Sequence, residues 1–145
     1  VFAWRAANRY AQNIPARKTS TEKPRVVAVL GVSNFEYLIT LLSLAKLGHT
    51  VLFLSTRITV AAIESLINAT SASTIITDRK HAGIAKEIQN ALPLLQLLEI
   101  VDRQVFEFSI EAHGDTQLDS QLDPEIEAKN IAFIVHSSGN YSGIL

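Results

Sequence analysis

Five short apolar runs, rich in β-branched residues and separated by amphipathic stretches, constrain this chain more than any other feature. They are VVAVL (Val26–Leu30), TVLFLS (Thr50–Ser55), STIIT (Ser73–Thr77), LLEIV (Leu97–Val101) and IAFIV (Ile131–Val135). Continuous apolar runs of this length suit strands buried on both faces, as a parallel sheet requires. Three of the intervening stretches carry helical signals. Ser33 followed by Glu36 reads as a capping box, with Phe35, Leu38, Ile39, Leu42 and Ala45 on the inward face and Gly48 at the end. Thr59 caps a second helix that turns Ala62, Ile63, Leu66 and Ile67 inward. Asp78 caps a third, whose stripe of Ile84, Ala85, Ile88 and Leu92 stops at Pro93. Strands alternating with helices imply right-handed crossovers, so the expected fold class is α/β with a mainly parallel sheet covered on both sides.

The expected organisation has four parts. Residues 1–24 form a lead-in helix (Val1, Trp4, Ala7 and Ala11 at helical spacing, broken by Pro15) and a polar loop; residues 25–101 form the α/β unit; residues 102–129 form an acidic connector; residues 130–145 form a strand and a loop. The basic run over the first 25 residues and the acidic run over 102–129 read as solvated segments. Trp4, Phe35 and Phe53 read as core aromatics. A chain of 145 residues with 48% hydrophobic content is long enough for a real core.

Net charge is −1, which offers no grip for nucleic acid or an anionic membrane. No apolar run reaches the roughly 18 residues needed to span a bilayer. The absence of cysteine removes disulfides, thiolate metal sites and a Cys nucleophile, and suits a cytoplasmic protein. His49, His81, His113 and His136 have no spacing that places two on one face as metal ligands, so no metal site is expected. Ser137 and Ser138 lack the Gly-x-Ser-x-Gly elbow of a hydrolase nucleophile, and no catalytic residue is assigned. The first residue is Val1 and not Met, as expected of a chain that begins inside a longer reading frame or after processing.

The last strand run leads into HSSGNYSG (His136–Gly143). Ligands of parallel α/β sheets sit at the carboxyl ends of strands, and serine hydroxyls with glycine-exposed N–H groups suit phosphate oxygens. Ser137, Ser138 and Gly139 are therefore the candidate phosphate-binding residues; the same residues also suit a plain turn-rich loop. The segment is not a Walker loop, because Gly139 and Gly143 are four apart with no lysine after them, and GVSN after the first strand is not the dinucleotide fingerprint.

FIVHSSG (Phe133–Gly139) resembles the start of the phosphate-loop signature of the adenylate-forming, AMP-binding superfamily. LAKLGHTVLFLS (Leu44–Ser55) is similar to that family's second core motif, and SNFEYLITLLSLAKLGHTVLFLSTR resembles fungal nonribosomal-peptide-synthetase-like enzymes. The resemblance implies a partial N-terminal subdomain of an adenylation domain. It implies ATP and Mg2+ as cofactors, a carboxylic acid activated to an acyl-adenylate, and transfer to a carrier-domain thiol or CoA. After Gly139 the family continues as Ser/Thr-Thr-Gly-x-Pro-Lys, whereas this chain has Asn140, Tyr141, Ser142, Gly143, Ile144 and Leu145; with one residue inserted, the resemblance implies Ser142 and Gly143 in place of the Thr-Gly pair as further phosphate-binding residues. The missing lysine removes a charge-assisted hydrogen bond of roughly 1.5–3 kcal/mol, one to two orders of magnitude in phosphate affinity. The expectation is a fragment not competent alone, with an altered or prematurely ended reading frame after Gly139. Two other readings stand beside it: a non-catalytic interaction or regulatory protein that self-associates through uncovered apolar surface, and a minimal nucleotide-binding α/β module.

Overall fold

The computed structural model describes residues 1–107 and 122–136. Its order is α1 (Phe2–Ala11), β1 (Val26–Leu30), α2 (Phe35–Lys46), β2 (Thr50–Leu54), α3 (Val60–Thr70), β3 (Thr74–Thr77), α4 (Ala82–Ala91), β4 (Gln96–Glu99), α5 (Arg103–Glu107), α6 (Pro124–Glu127) and β5 (Phe133–Ile134). The five strands form one sheet in the order β4-β3-β1-β2-β5, every pair parallel. All five expected strands are present, with ends displaced by a residue or two, and the fold is α/β as the alternation implies.

Side-chain alternation along the central strand divides the core. Val27 and Val29 face α1, α2 and Phe106 of α5, whereas Ala28 and Leu30 face α3 and α4. Right-handed crossovers account for this split. The chain steps from β1 to β2 in one direction through α2, then returns past β1 to β3 and β4 through α3 and α4, which must lie on the opposite face. A hydrogen-bond relay ties the first layer together: Val101 N donates to Tyr10 Oη (3.0 Å), Tyr10 Oη lies 2.9 Å from Thr40 Oγ1, and Thr40 Oγ1 donates to Glu36 O (2.9 Å). Burial pushes the Tyr10 phenol above its ordinary value, so it stays a neutral member of this relay.

The structure corrects the reading of α2. Its N-cap is Asn34, which accepts from Tyr37 N (2.9 Å), and not Ser33. Its buried side carries Tyr37, Ile39, Thr40, Ser43 and Leu44. Phe35, Leu38 and Leu42, expected inward, are exposed, as is Ala45. The helix is apolar nearly all round, so apolar spacing alone does not choose a face. The choice follows from α1, which packs close only where small hydroxyl residues stand: Ser43 Oγ lies 2.6 Å from Ile39 O and 3.0 Å from Ala3 O. The hydroxyls are satisfied locally and behave as core. Gly48 ends the turn at φ +78°, and a Cβ there would also stand 3.3 Å from the Arg17 side chain.

Candidate nucleotide site

The sequence-assigned phosphate residues Ser137, Ser138, Gly139, Ser142 and Gly143 lie outside the described residues. Their root is described. β5 sits at one edge of the sheet and pairs with β2 in the register Val51↔Phe133 and Leu52↔Ile134. Three contacts hold it there: Thr50 Oγ1 donates to Ile131 O (2.6 Å), Val51 N to Ala132 O (2.9 Å), and Ser55 N to His136 Nε2 (3.2 Å). His136, read from sequence only for its lack of metal-ligand spacing, is thus bonded to the carboxyl end of β2.

Behind β5 lies a charged clasp that sequence reasoning missed. Arg17 is 3% exposed; its guanidinium donates to Glu127 through two nitrogens (2.7 and 3.0 Å) and also to the carbonyls of Glu22, Gly48 and Ser20. The Arg17 hydrogen bonds hold the Glu127 carboxyl below its ordinary value. The basic lead-in and the acidic stretch before β5 therefore meet, and at these two residues neither is merely solvated. Phe106, also within the acidic stretch, is fully buried.

In an open α/β sheet the usual ligand crevice lies where the strand order reverses, here between the carboxyl ends of β1 and β3. Asp78 closes it. Oδ2 accepts from Val32 N (2.8 Å), while Oδ1 accepts from His81 N (2.9 Å) and meets His81 Nδ1 (2.7 Å). Desolvation alone would raise the Asp78 carboxyl, but the bonds from Val32 and His81 outweigh it and hold the group below its ordinary value. A tied, ionised carboxylate at that mouth disfavours a polyphosphate there. The role expected of Asp78 as a cap is borne out: it caps the 3₁₀ turn Arg79–His81 that opens α4.

The remaining histidines are structural where described. His49 accepts from Arg25 N at Nδ1 (3.3 Å), so Nε2 carries the proton given to Pro15 O (2.8 Å). Burial is the main cause holding it below its ordinary value. His113 lies outside the described residues. A cavity of about 280 Å³ opens at the carboxyl end of β4, on the far edge from β5, and its lining mixes Arg9 and Arg79 with Glu99 and Asp102. Among the described residues no group of three His, Asp or Glu is arranged to hold a metal ion, and no helix is long and apolar enough to cross a membrane.

The family model described as AMP-binding enzyme matches residues 3–140. No curated protein matches the chain. Among solved structures, the nonribosomal peptide synthetase FmoA3 in an α-methyl-L-serine-AMP bound form is 13% identical, with 95% of this chain and 13% of that one covered at a TM-score of 0.61. O-succinylbenzoate coenzyme A synthetase from Bacillus subtilis, in complex with ATP and magnesium, is 16% identical, covering 73% and 26% at 0.58. A structure from a study of fatty acyl-adenylate ligases from E. coli and L. pneumophila is 16% identical, covering 68% and 18% at 0.56. At such identities the likeness is one of fold. The chain spans about a quarter or less of the length of each of these three structures.

Proposed function

Since the chain belongs to the AMP-binding enzyme family, we propose that it supplies part of the nucleotide-holding frame of an enzyme that activates a carboxylic acid as an acyl-adenylate, and that Ser137, Ser138 and Gly139 contact the phosphates. One observation carries this reading: the family match runs to residue 140, through the Ser-Ser-Gly that follows β5. In that chemistry a substrate carboxylate oxygen attacks the α-phosphorus of ATP, the P–O bond to pyrophosphate breaks, and a carrier thiol or CoA then attacks the acyl carbon of the mixed anhydride, forming a thioester and releasing AMP. The donors proposed here would neutralise and orient the phosphates, as hydroxyls and backbone N–H groups do in other anion cradles. Mg2+ would offset phosphate charge when bound; the described residues offer no ligand set for it, and no step is assigned to it.

The 145-residue chain by itself is proposed to bind nucleotide weakly and not to complete adenylation. It lacks a lysine after Gly139 and spans about a quarter or less of the three structures compared. Acid-dependent exchange of pyrophosphate into ATP, measured over a panel of carboxylic acids, tests this. Background exchange is expected; robust exchange by the chain alone overturns the claim of incompetence.

A second reading, self-association, is favoured by the outer face of α2, where Phe35, Leu38 and Leu42 are 39%, 49% and 45% exposed. Contiguous apolar surface of this kind promotes association. Light scattering over a concentration series tests it, and a concentration-independent monomer contradicts it.

A further inference from the structure

Four charged side chains stand around the cavity of about 280 Å³ at the carboxyl end of β4, two of each sign, and none pairs with another. Arg9 comes from the last turn of α1, Arg79 from the 3₁₀ turn that opens α4, Glu99 from the end of β4, and Asp102 from the residue before α5. The ion pairs among the described residues are Arg17–Glu127, Asp78–His81 and Arg103–Glu107, which leave all four out. Arg9 donates to the Gln12 amide oxygen (2.9 Å) and Asp102 Oδ1 accepts from Gln104 N (3.0 Å), while the side chains of Arg79 and Glu99 make no hydrogen bond among the described residues. Charges of both signs therefore face one hollow with their attraction for each other unspent.

Below this rim the wall is apolar and fixed. Leu98 and Ile100 line it, and the Tyr10 ring beside them is held by the bond from Val101 N to its Oη (3.0 Å). A concave, part-apolar surface ringed by a few polar groups is the usual form of a small-molecule site, and the volume falls just below the common range of roughly 300–1,000 Å³, so the ligand must be small.

We propose that this cavity binds a small zwitterion of the α-amino-acid class, with its carboxylate held by Arg9 and Arg79, its ammonium by Glu99 and Asp102, and its side chain laid on Leu98 and Ile100. The planar guanidinium fork matches a carboxylate, and carboxylates, which only accept, match the three N–H donors of an ammonium. The two acids disfavour a polyphosphate and the two arginines a bare cation. The cavity lies on the opposite sheet edge from β5, so the proposal does not rest on the nucleotide reading.

The test titrates the 15N-labelled 145-residue chain with L-leucine and with the two molecules that each keep one of its charges: isocaproate, which lacks the ammonium, and isoamylamine, which lacks the carboxylate. L-Leucine is expected to give saturable shifts at Asn13, Glu99, Asp102 and Val105, with half-saturation at about 1–10 mM and no shift at Ser73 or Leu95, away from the cavity. Each single-charge analogue is expected to bind at least about tenfold more weakly. Arg79→Gln and Glu99→Gln each weaken L-leucine about five- to tenfold and leave the urea midpoint unchanged, since both side chains are exposed. Unmoved cavity resonances at about 50 mM L-leucine overturn the proposal. So does an analogue that binds as tightly as L-leucine, or equal L-leucine affinity in both variants. Should either variant unfold, the comparison of the three ligands on the unsubstituted chain still decides.

Discussion

Arg17 meets the Glu127 carboxylate with two guanidinium nitrogens, at 2.7 and 3.0 Å, across 110 positions of sequence. Because Arg17 also donates to the carbonyls of Glu22, Gly48 and Ser20, it joins the lead-in loop, the turn into β2 and the helix before β5 in one clasp. Arg17→Ala is expected to cost about 2–3 kcal/mol, since three carbonyls bonded by the buried guanidinium lose their partner while the part-exposed Glu127 regains water. Urea unfolding checks the figure. Arg17→Lys recovers little, because an ammonium cannot span the same fork of acceptors.

The exposed and buried sides of α2 give opposite expectations. Leu38→Gln and Leu42→Gln change stability by no more than about 0.5 kcal/mol and lower any concentration-dependent association. Leu44→Ala, at a fully buried position, costs about 2–5 kcal/mol. Unfolding midpoints together with light scattering on the three variants check both.

Stability should fall with acid in two stages. Burial holds the folded His49 below its ordinary 6.5, so the unfolded chain takes up a proton first. The His49 contribution is full above that value and is lost as pH drops through the lower folded one. The carboxyls of Asp78 and Glu127 sit below their ordinary 3.8 and 4.5, and their contributions are lost at lower pH still. Urea midpoints measured against pH are expected to decline first below 6.5 and again below the carboxylate range. His49→Gln removes the first decline and leaves the second.

Gly48 combines a positive φ with close approach to Arg17. Gly48→Ala is expected to cost about 1–2 kcal/mol, from the left-handed backbone and from displacement of the guanidinium stem. Thermal unfolding checks it, with Gly83→Ala as the comparison: that helical glycine has open space at its Cβ, and the change should be neutral or stabilising.

What the sequence made legible follows from the range of the interactions. The central strands are visible because the apolar runs of β1, β2 and β3 are buried on both sides, the edge strands β4 and β5 being only part-buried, and Thr59 and Asp78 are visible as caps because capping is local. The inward face of α2 is not, because α1 decides it from a distant part of the chain, choosing Thr40 and Ser43 over Leu38 and Leu42. Arg17 and Glu127 stand in oppositely charged runs that each look solvated alone, and only the packing of α6 against the lead-in loop brings them together. For the candidate site, HSSG marks a place in the chain, whereas the bond from Ser55 to His136 depends on β5 pairing with β2, a non-local contact that residue type does not signal.

The central claim, that the residues after His136 contact nucleotide phosphates, is tested most directly by two-dimensional NMR of the 15N-labelled chain titrated with MgATP. The account predicts weak, saturable shifts at Ser137, Ser138, Gly139 and Ser55, little change at residues lining the β4 cavity such as Asn13 and Asp102, and loss of the response in a Ser137→Ala, Ser138→Ala chain. Unmoved resonances at Ser137 through Gly139 up to about 10 mM MgATP, well beyond the affinity expected of even a weak site, would contradict it.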